Sequence, residues 1–508
     1  MANVDLPPGA GPADHDSAFF GHPRGLRTLF FTEMWERFSY YGMRAILILF
    51  MTAPAASGGL AFDVAHAGTV YGLYTAMVYL ACLPGGWLAD RWLGQRHATF
   101  AGGVVIMSGH IALAVPSLPS FYLGLVLLVI GTGLLKPNIS TLVGQLYGAG
   151  DTRRDAGYSL YYMGINVGAF MAPLVCGWLG QGAGFRALLG RLGIDPALSW
   201  HFGFGAAAVG MAAGLLHYLH GSDYLGTAGA RPAPDDAVRR QLVRGVAGLV
   251  GLGGLCAVLG LLGVVELSAA WIGNAFGVLL LIITVAFFGW VFSYAEWSAE
   301  ERRRLVLVLV LFVGATVFWS LYEQGGSTLN LFAQRNTDTS LFGFEFPASW
   351  MQSLNPIFII GGLAPAFAWL WLRLGPREPS SPAKFALGLL FMALGYAVMV
   401  GAAVNAAGGV KVSPLWLTTM YFLHTIGEMC LSPVGLSAMS RLAPARIAGL
   451  TMGIWFLATS IGSYVGGRVA GLYDTLELAT IFAVLTAVAV VAAVIMAALV
   501  RPLRRALA

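Results

Sequence analysis

Apolar runs about 20 residues long recur through all 508 residues of the chain, and this recurrence limits its fold more than any other feature. A helix rises 1.5 Å per residue, so roughly 20 apolar residues cross a hydrocarbon layer about 30 Å thick. Fourteen segments qualify: 27–52, 68–90, 98–116, 121–147, 156–180, 200–220, 241–264, 270–292, 304–327, 350–374, 384–407, 413–440, 447–471 and 477–499. Inside lipid the backbone must satisfy its own amides, so each run is expected to be a helix. Composition agrees. Charged residues make up 10% and hydrophobic residues 57% of the chain, whereas a soluble protein carries about 25% charge to coat its surface. The expected fold is an all-α polytopic membrane protein with 14 transmembrane helices; collagen, disorder and a disulfide scaffold are excluded. Cys82, Cys176, Cys256 and Cys430 lie in or beside apolar runs, show no metal spacing and read as buried, inert thiols.

Basic residues orient the spans. With the N-terminus cytoplasmic, twenty-one Lys and Arg fall on the cytoplasmic side. Only Arg186, Arg191, Arg335 and Lys411 fall on the other, and Arg37, Arg44, Lys136 and Arg468 lie inside spans. Both termini are therefore expected in the cytoplasm, with the chain in the inner membrane. Met1–Gly25 is polar and has no basic head followed by an apolar core and cleavage site, so it is not a secretory signal. The net charge of +5 does not point to nucleic acid, because almost all arginines flank apolar runs.

The spans group as six, two and six. The expected domains are a cytoplasmic tail (1–25), a six-helix bundle (26–222), a cytoplasmic linker (223–240), two inserted helices with their link (241–300) and a second six-helix bundle (301–508). The inserted pair carries almost no charge at helix depth apart from Glu266, and reads as peripheral.

Seven ionisable residues sit well inside spans: Glu33, Glu36, Arg37, Arg44, Lys136, Glu323 and Glu428. Each central charge costs about 2.5–3.5 kcal/mol to insert, roughly 20 kcal/mol together. Pairing around a water-filled cavity is the expected compensation, and four acids against three bases leave one acid able to gain or lose a proton. Glu33, Glu36, Arg37, Tyr40, Tyr41 and Arg44 follow the stepping of one helical face and cover about 16 Å. That face cannot meet lipid and must line a cavity. Lys136 precedes Pro137, which can kink the helix and free a carbonyl beside the amine. A buried lysine depends on a carboxylate partner, so a Lys–Glu pair is a proton switch that breaks when the acid is protonated. Tyr158, Tyr162 and Asn166 share a face; the tyrosines alone read as packing, whereas a midspan asparagine does not. The second half offers Trp319 with Glu323 at i, i+4, Asn355 before Pro356, and Glu428 before Ser432 and Pro433. Trp455 by itself reads equally well as core packing. No metal-ligand cluster and no Ser–His–Asp set stands among these residues, and His110 and His424 are far apart, so an enzyme is not expected.

The run Glu33-x-x-Glu36-Arg37-Phe38-x-Tyr40-Tyr41-Gly42 resembles the hallmark of the proton-dependent oligopeptide transporter family, a branch of the major facilitator superfamily. Gly86-Trp-Leu-Ala-Asp90-Arg91-Trp-Leu-Gly94 resembles the superfamily's cytoplasmic loop motif. Tyr161-Tyr162-Met-Gly-Ile165-Asn166-Val-Gly168 is similar to the family's second signature, with Tyr where Phe is common at the first place. The likeness runs from about Gly21 to Arg505 and implies the major facilitator fold, two six-helix bundles plus two inserted helices.

The resemblance also implies roles. Glu33, Glu36, Arg37 and Lys136 are the proton-coupling cluster. Glu428, with Asn166 and Asn355, takes a peptide's amino end, and Arg37, Arg44 and Lys136 attract its carboxylate. Tyr40, Tyr41, Tyr79, Ser432 and Trp455 line the pocket, and Glu323 pairs with Arg44 as an outer gate. Some relatives use a histidine in the second span; here His66 precedes that span, so the carboxylates must carry the proton. The expected function is a proton-coupled symporter importing di- and tripeptides by alternating access. It works as a monomer in the lipid bilayer, with no cofactor beyond the proton gradient and no nucleic-acid partner. The alternative is a proton-coupled symporter of nitrate, a glucoside or an organic anion on the same fold.

Overall fold

The computed structural model describes residues 16–148, 150–233, 268–293, 297–341, 343–442 and 448–507, with scattered positions between 236 and 258. The expected span 241–264 and Cys256 therefore lie largely or wholly outside the described residues.

The described residues are mainly helical, as a backbone without water requires. In order come α1 (Arg24–Thr52), α2 (Val64–Leu80), α3 (Cys82–Leu88), α4 (Gln95–Leu113), α5 (Leu118–Gln145), α6 (Arg154–Gln181), α7 (Ala183–Arg191) and α8 (Ser199–Gly221). Then follow α9 (Ala269–Ser293), α10 (Ala299–Tyr322), α11 (Thr328–Asn336), α12 (Leu354–Phe358), α13 (Ala364–Leu374), α14 (Ser381–Asn405), α15 (Leu415–Leu442), α16 (Ala448–Ala470) and α17 (Leu478–Leu507). A two-stranded hairpin pairs Ser340–Leu341 with Phe344–Glu345. Among the described residues nine helical stretches are long and apolar enough to cross a membrane; α1 stands apart because of its charges.

Three expected spans are not single α-helices. The second begins earlier, at Val64, so His66 lies in the first turn of α2 and not ahead of it. The span is interrupted at Ala81 and closes in a π turn at Ala89–Leu93. The span placed at 304–327 ends at Tyr322. A 3-10 turn, Glu323–Gly326, then hands over to α11, because Gly325 and Gly326 favour leaving the helix. The span placed at 350–374 is broken into a 3-10 segment (Ala348–Ser353), α12, a π turn (Ile359–Leu363) and α13.

The described residues form two compact units. One is drawn from within Met1–Gly42, Ala81–Ala172 and Phe204–Leu267, the other from Met43–Leu80, Pro173–Gly203 and Ser268–Ala508. In each unit small residues set the helix spacing, as expected where lipid offers no hydrophobic drive. In the first unit, a methyl group on Gly102 would lie 2.7 Å from Gly131 O, and one on Gly124 would lie 2.8 Å from Gly109 O, so α4 and α5 touch backbone to backbone. Gly164 and Gly168 do the same for α6 against Phe30 and Met34 of α1. In the second unit, Gly68 and Gly72 of α2 meet Gly467 of α16, and Gly388 of α14 meets Gly427 of α15. Phe318, Phe385, Tyr396 and Phe482 are fully buried there. Cys82, Cys176 and Cys430 are buried.

Candidate functional site

The first unit holds the charged stripe of α1. Glu33, Glu36 and Arg37 are each no more than 3% exposed. Arg37 Nη2 donates to Glu36 Oε1 at 2.7 Å, its Nε donates to Glu36 Oε2, and the same Nε lies 3.2 Å from Glu33 Oε1. The guanidinium thus grips Glu36 with two donors, the geometry in which arginine binds a carboxylate best. Arg37 contacts Glu33 through one oxygen only; among the described residues its buried Oε2 makes no hydrogen bond of standard geometry. Arg37 also lies over the ring of Tyr40, 5.1 Å from its centroid, and over that of Tyr41 at 6.0 Å.

Helices α5 and α6 complete this cluster. Lys136 lies within electrostatic range of Glu33, Glu36 and Arg37. It is carried on the part of α5 that contains Pro137, where Asn138 Nδ2 bonds Leu134 O at 2.6 Å and Ser140 Oγ bonds Lys136 O at 3.2 Å. Gly164 and Gly168 let α6 approach α1 closely, and Tyr161, a turn away, lies beside Glu33. Among the described residues its hydroxyl makes no hydrogen bond of standard geometry. Asn166 is buried and its Nδ2 bonds Tyr162 O at 2.9 Å.

The second unit holds the other candidates. Arg44 Nη2 donates to Glu323 Oε2 at 2.6 Å, and Arg44 Nε donates to Tyr71 Oη at 2.7 Å. Arg44 and Glu323 are 6% and 2% exposed, so the pair is cut off from water. Gly326 makes room for it: a methyl there would overlap the Tyr71 hydroxyl and come within 2.9 Å of Arg44 Nε. Glu428 on α15 is buried, and its Oε2 accepts from Tyr322 Oη at 2.9 Å and from Asn355 Nδ2 at 2.8 Å. Asn355 Nδ2 also lies 3.0 Å from Thr425 Oγ1. Ser432, one turn beyond Glu428, has a buried hydroxyl without a hydrogen-bond partner among the described residues. The Trp455 ring meets that of Trp319 edge-on at 6.2 Å, and Tyr79 is half-buried on α2.

The expected residues therefore gather as Glu33, Glu36, Arg37, Tyr40, Tyr41, Lys136 and Asn166 in one unit, and Arg44, Tyr79, Glu323, Asn355, Glu428, Ser432 and Trp455 in the other. Among the described residues no cluster of His, Cys, Asp or Glu could hold a metal ion.

Residues 96–490 match the sequence profile named PTR2, described as the POT family. The chain belongs to the POT family. It is thus a membrane transporter and not an enzyme. Among its relatives, peptide transporter YePEPT of Yersinia enterocolitica is 40% identical over 96% of each chain. A di-/tripeptide transporter of Lactococcus lactis subsp. cremoris is 36% identical over 92% of this chain and 93% of its own. A crystal structure of peptide transporter POT in complex with sulfate superposes with a TM-score of 0.88 at 41% identity over 96% of both chains. This shows the major facilitator fold of the POT family.

Four residues of these clusters were not singled out as site residues by sequence. Tyr71 and Tyr322 sit in apolar runs, where a tyrosine has the same signature as packing. Thr425 is one turn before Glu428, and helical spacing alone could have found it. Tyr161 stands inside a quoted signature, but only its place one turn before Gly164 brings it to Glu33.

Proposed function

We propose that the chain is a proton-coupled symporter that imports di- and tripeptides by alternating access. The observation that carries this reading is the Glu428 carboxylate, buried and, among the described residues, held by two neutral donors, Tyr322 and Asn355, instead of by a cation. A buried carboxylate without a cationic partner is costly. A peptide's ammonium group is the charge that completes it. Arg37, Arg44 and Lys136 supply positive charge for the peptide's carboxylate, and Asn166, Tyr40, Tyr41, Tyr79, Ser432 and Trp455 line the pocket. Because every peptide has the same two termini, such a site tolerates many side chains.

Proton coupling falls to Glu33, Glu36, Arg37 and Lys136. Two carboxylates and two cations balance when all are ionised. A proton added to Glu33, which Arg37 contacts through one oxygen, removes one negative charge and leaves the cations in excess, which draws in a carboxylate. Departure of the proton restores the internal balance and releases it. Each positive charge carried inward gains about 2.3 kcal/mol per 100 mV of membrane potential. The Arg44–Glu323 pair acts as the outer gate: it forms when that end is closed and breaks when it opens. The chain requires no cofactor beyond the proton gradient. It acts as a monomer in the inner membrane with both termini cytoplasmic, organised as two six-helix bundles with two inserted helices.

The names of the two relatives above support the peptide reading over nitrate, a glucoside or an organic anion. Competition separates them. Unlabelled dipeptides should block uptake of a labelled dipeptide, and nitrate or glucosides in the same excess should not. Uptake blocked by nitrate and indifferent to dipeptides contradicts the proposal.

A further inference from the structure

Away from the transport residues, the ends of α1 and α8 form a groove of about 490 Å³ within the first unit, lined by Arg27, Thr28, Phe31, Leu216, His217 and His220. Its floor is tight: Thr28 Oγ1 donates to Gly221 O at 3.2 Å, and a methyl on Gly221 would overlap that threonine. Its rim is basic. Among the described residues no carboxylate forms an ion pair with Arg27, His217 or His220. The neighbouring Arg24, by contrast, is bound to Asp16 at 3.2 Å.

Both imidazoles are fixed in the same way. His217 Nδ1 lies 3.0 Å from Ala213 O, and His220 Nδ1 lies 2.8 Å from Leu216 O. A carbonyl only accepts, so Nδ1 carries the hydrogen and Nε2 is the nitrogen left for a ligand. The His217 ring is stacked on Phe31 at 5.2 Å, which holds its plane. A cationic imidazole held at Nδ1 in this way donates from Nε2 to an anion. Beyond the rim, α8 turns an apolar side outward: Val209 is 70% and Leu216 56% exposed. Residues 209, 216 and 220 are spaced i, i+7 and i+11, so the apolar side and the basic rim share one face of the helix.

We propose that this groove binds an anionic phospholipid, its phosphate held by Arg27, His217 and His220 and its acyl chain lying along Val209 and Leu216. A free phosphate satisfies the rim but not the apolar face, and a zwitterionic lipid brings its own cation beside the phosphate. The site lies at the membrane face that carries the N-terminus, the face where anionic headgroups attract basic residues. It extends the transport reading and does not depend on it.

Native mass spectrometry of the full chain in neutral detergent tests this, with phosphatidylglycerol and phosphatidylcholine supplied in equal amounts. The wild type should retain phosphatidylglycerol preferentially. Arg27→Gln alone should weaken its retention about fivefold, and the triple variant with His217→Gln and His220→Gln should show no preference. Equal retention of both lipids by the wild type, or an unchanged preference in the triple variant, overturns the site. So does full displacement of the lipid by inorganic phosphate, which assigns the rim to a free anion. Thermal unfolding in the same detergent checks that the variants fold, and Arg27→Gln, exposed on α1, carries the test if the triple variant does not. No peptide or proton gradient enters the assay, so its outcome is separate from that of the proposed function.

Discussion

At the scale of single residues, each unit holds its two buried carboxylates differently. Glu36 and Glu323 are held by arginines, Glu33 by one oxygen only, and Glu428 by a phenol and an amide. Charge-assisted hydrogen bonds are the strong ones, so the acids without a full cationic partner are those left for a ligand or a proton. Glu428→Gln should weaken peptides with free amino termini at least about tenfold, since a hydrogen bond to a charged group contributes about 1.5–3 kcal/mol. N-acetylated peptides should be affected little; competition assays with both sets read the difference, and equal losses remove the ammonium role. Lys136→Ala should abolish proton-driven accumulation while peptide counterflow continues; accumulation that survives shows that Lys136 does not couple. The α1 stripe was legible because charge at helical spacing in an apolar run has no lipid-facing solution. The partners of Glu428 were legible only in part: Asn355 stood out as a midspan amide before proline, whereas Tyr322 is indistinguishable from packing until the fold is known.

At the scale of elements, glycine governs where helices meet and where they stop. The contact between α2 and α16 rests on Gly68, Gly72 and Gly467, with Gly68 positioned so that a methyl would lie 2.6 Å from Gly467 O. Gly467→Leu should therefore destabilise the protein by about 1–3 kcal/mol or more, the usual cost of overpacking, read as a lower thermal midpoint in detergent. An unchanged midpoint contradicts the close crossing. Gly326→Ala should act locally, displacing Tyr71 and Arg44 and weakening the pair with Glu323; it should lower transport with little change in midpoint. The positions of the helices could be read from hydropathy, but their interruptions at Ala81, Glu323–Gly326 and Ile359–Leu363 could not. Glycine pairs are common inside membrane helices, and neighbouring helices decide which of them become breaks.

At the molecule's N-terminal face, the segment before α1 is tied to the link between α5 and α6. His22 Nδ1 lies 3.0 Å from Tyr147 Oη, and Arg153 Nη1 donates to Gly21 O at 3.2 Å. Asp151 orients that arginine, and the hydrogen bonds from Arg153 hold its carboxyl below the usual carboxylate range. A lowered folded value means that the contribution is present above the unfolded value and lost as pH falls through the folded one. Asp151→Asn should lower the thermal midpoint at pH 7, and the difference should vanish once the wild-type carboxyl is protonated.

For the molecule as a whole, the basic residues predict that both ends face the cytoplasm. Ser17→Cys should react with a membrane-impermeant maleimide only after cells are opened, with the described native thiols buried. Labelling of intact cells reverses the orientation. The direct measurement of the account's central claim, that buried charges couple a proton to a peptide, is uptake of a labelled dipeptide into liposomes containing the purified chain. With the outside made acidic, the wild type should concentrate the peptide above its outside level, and collapsing the gradient should release the excess. Uptake that only equilibrates, and is indifferent to the imposed gradient, contradicts the account.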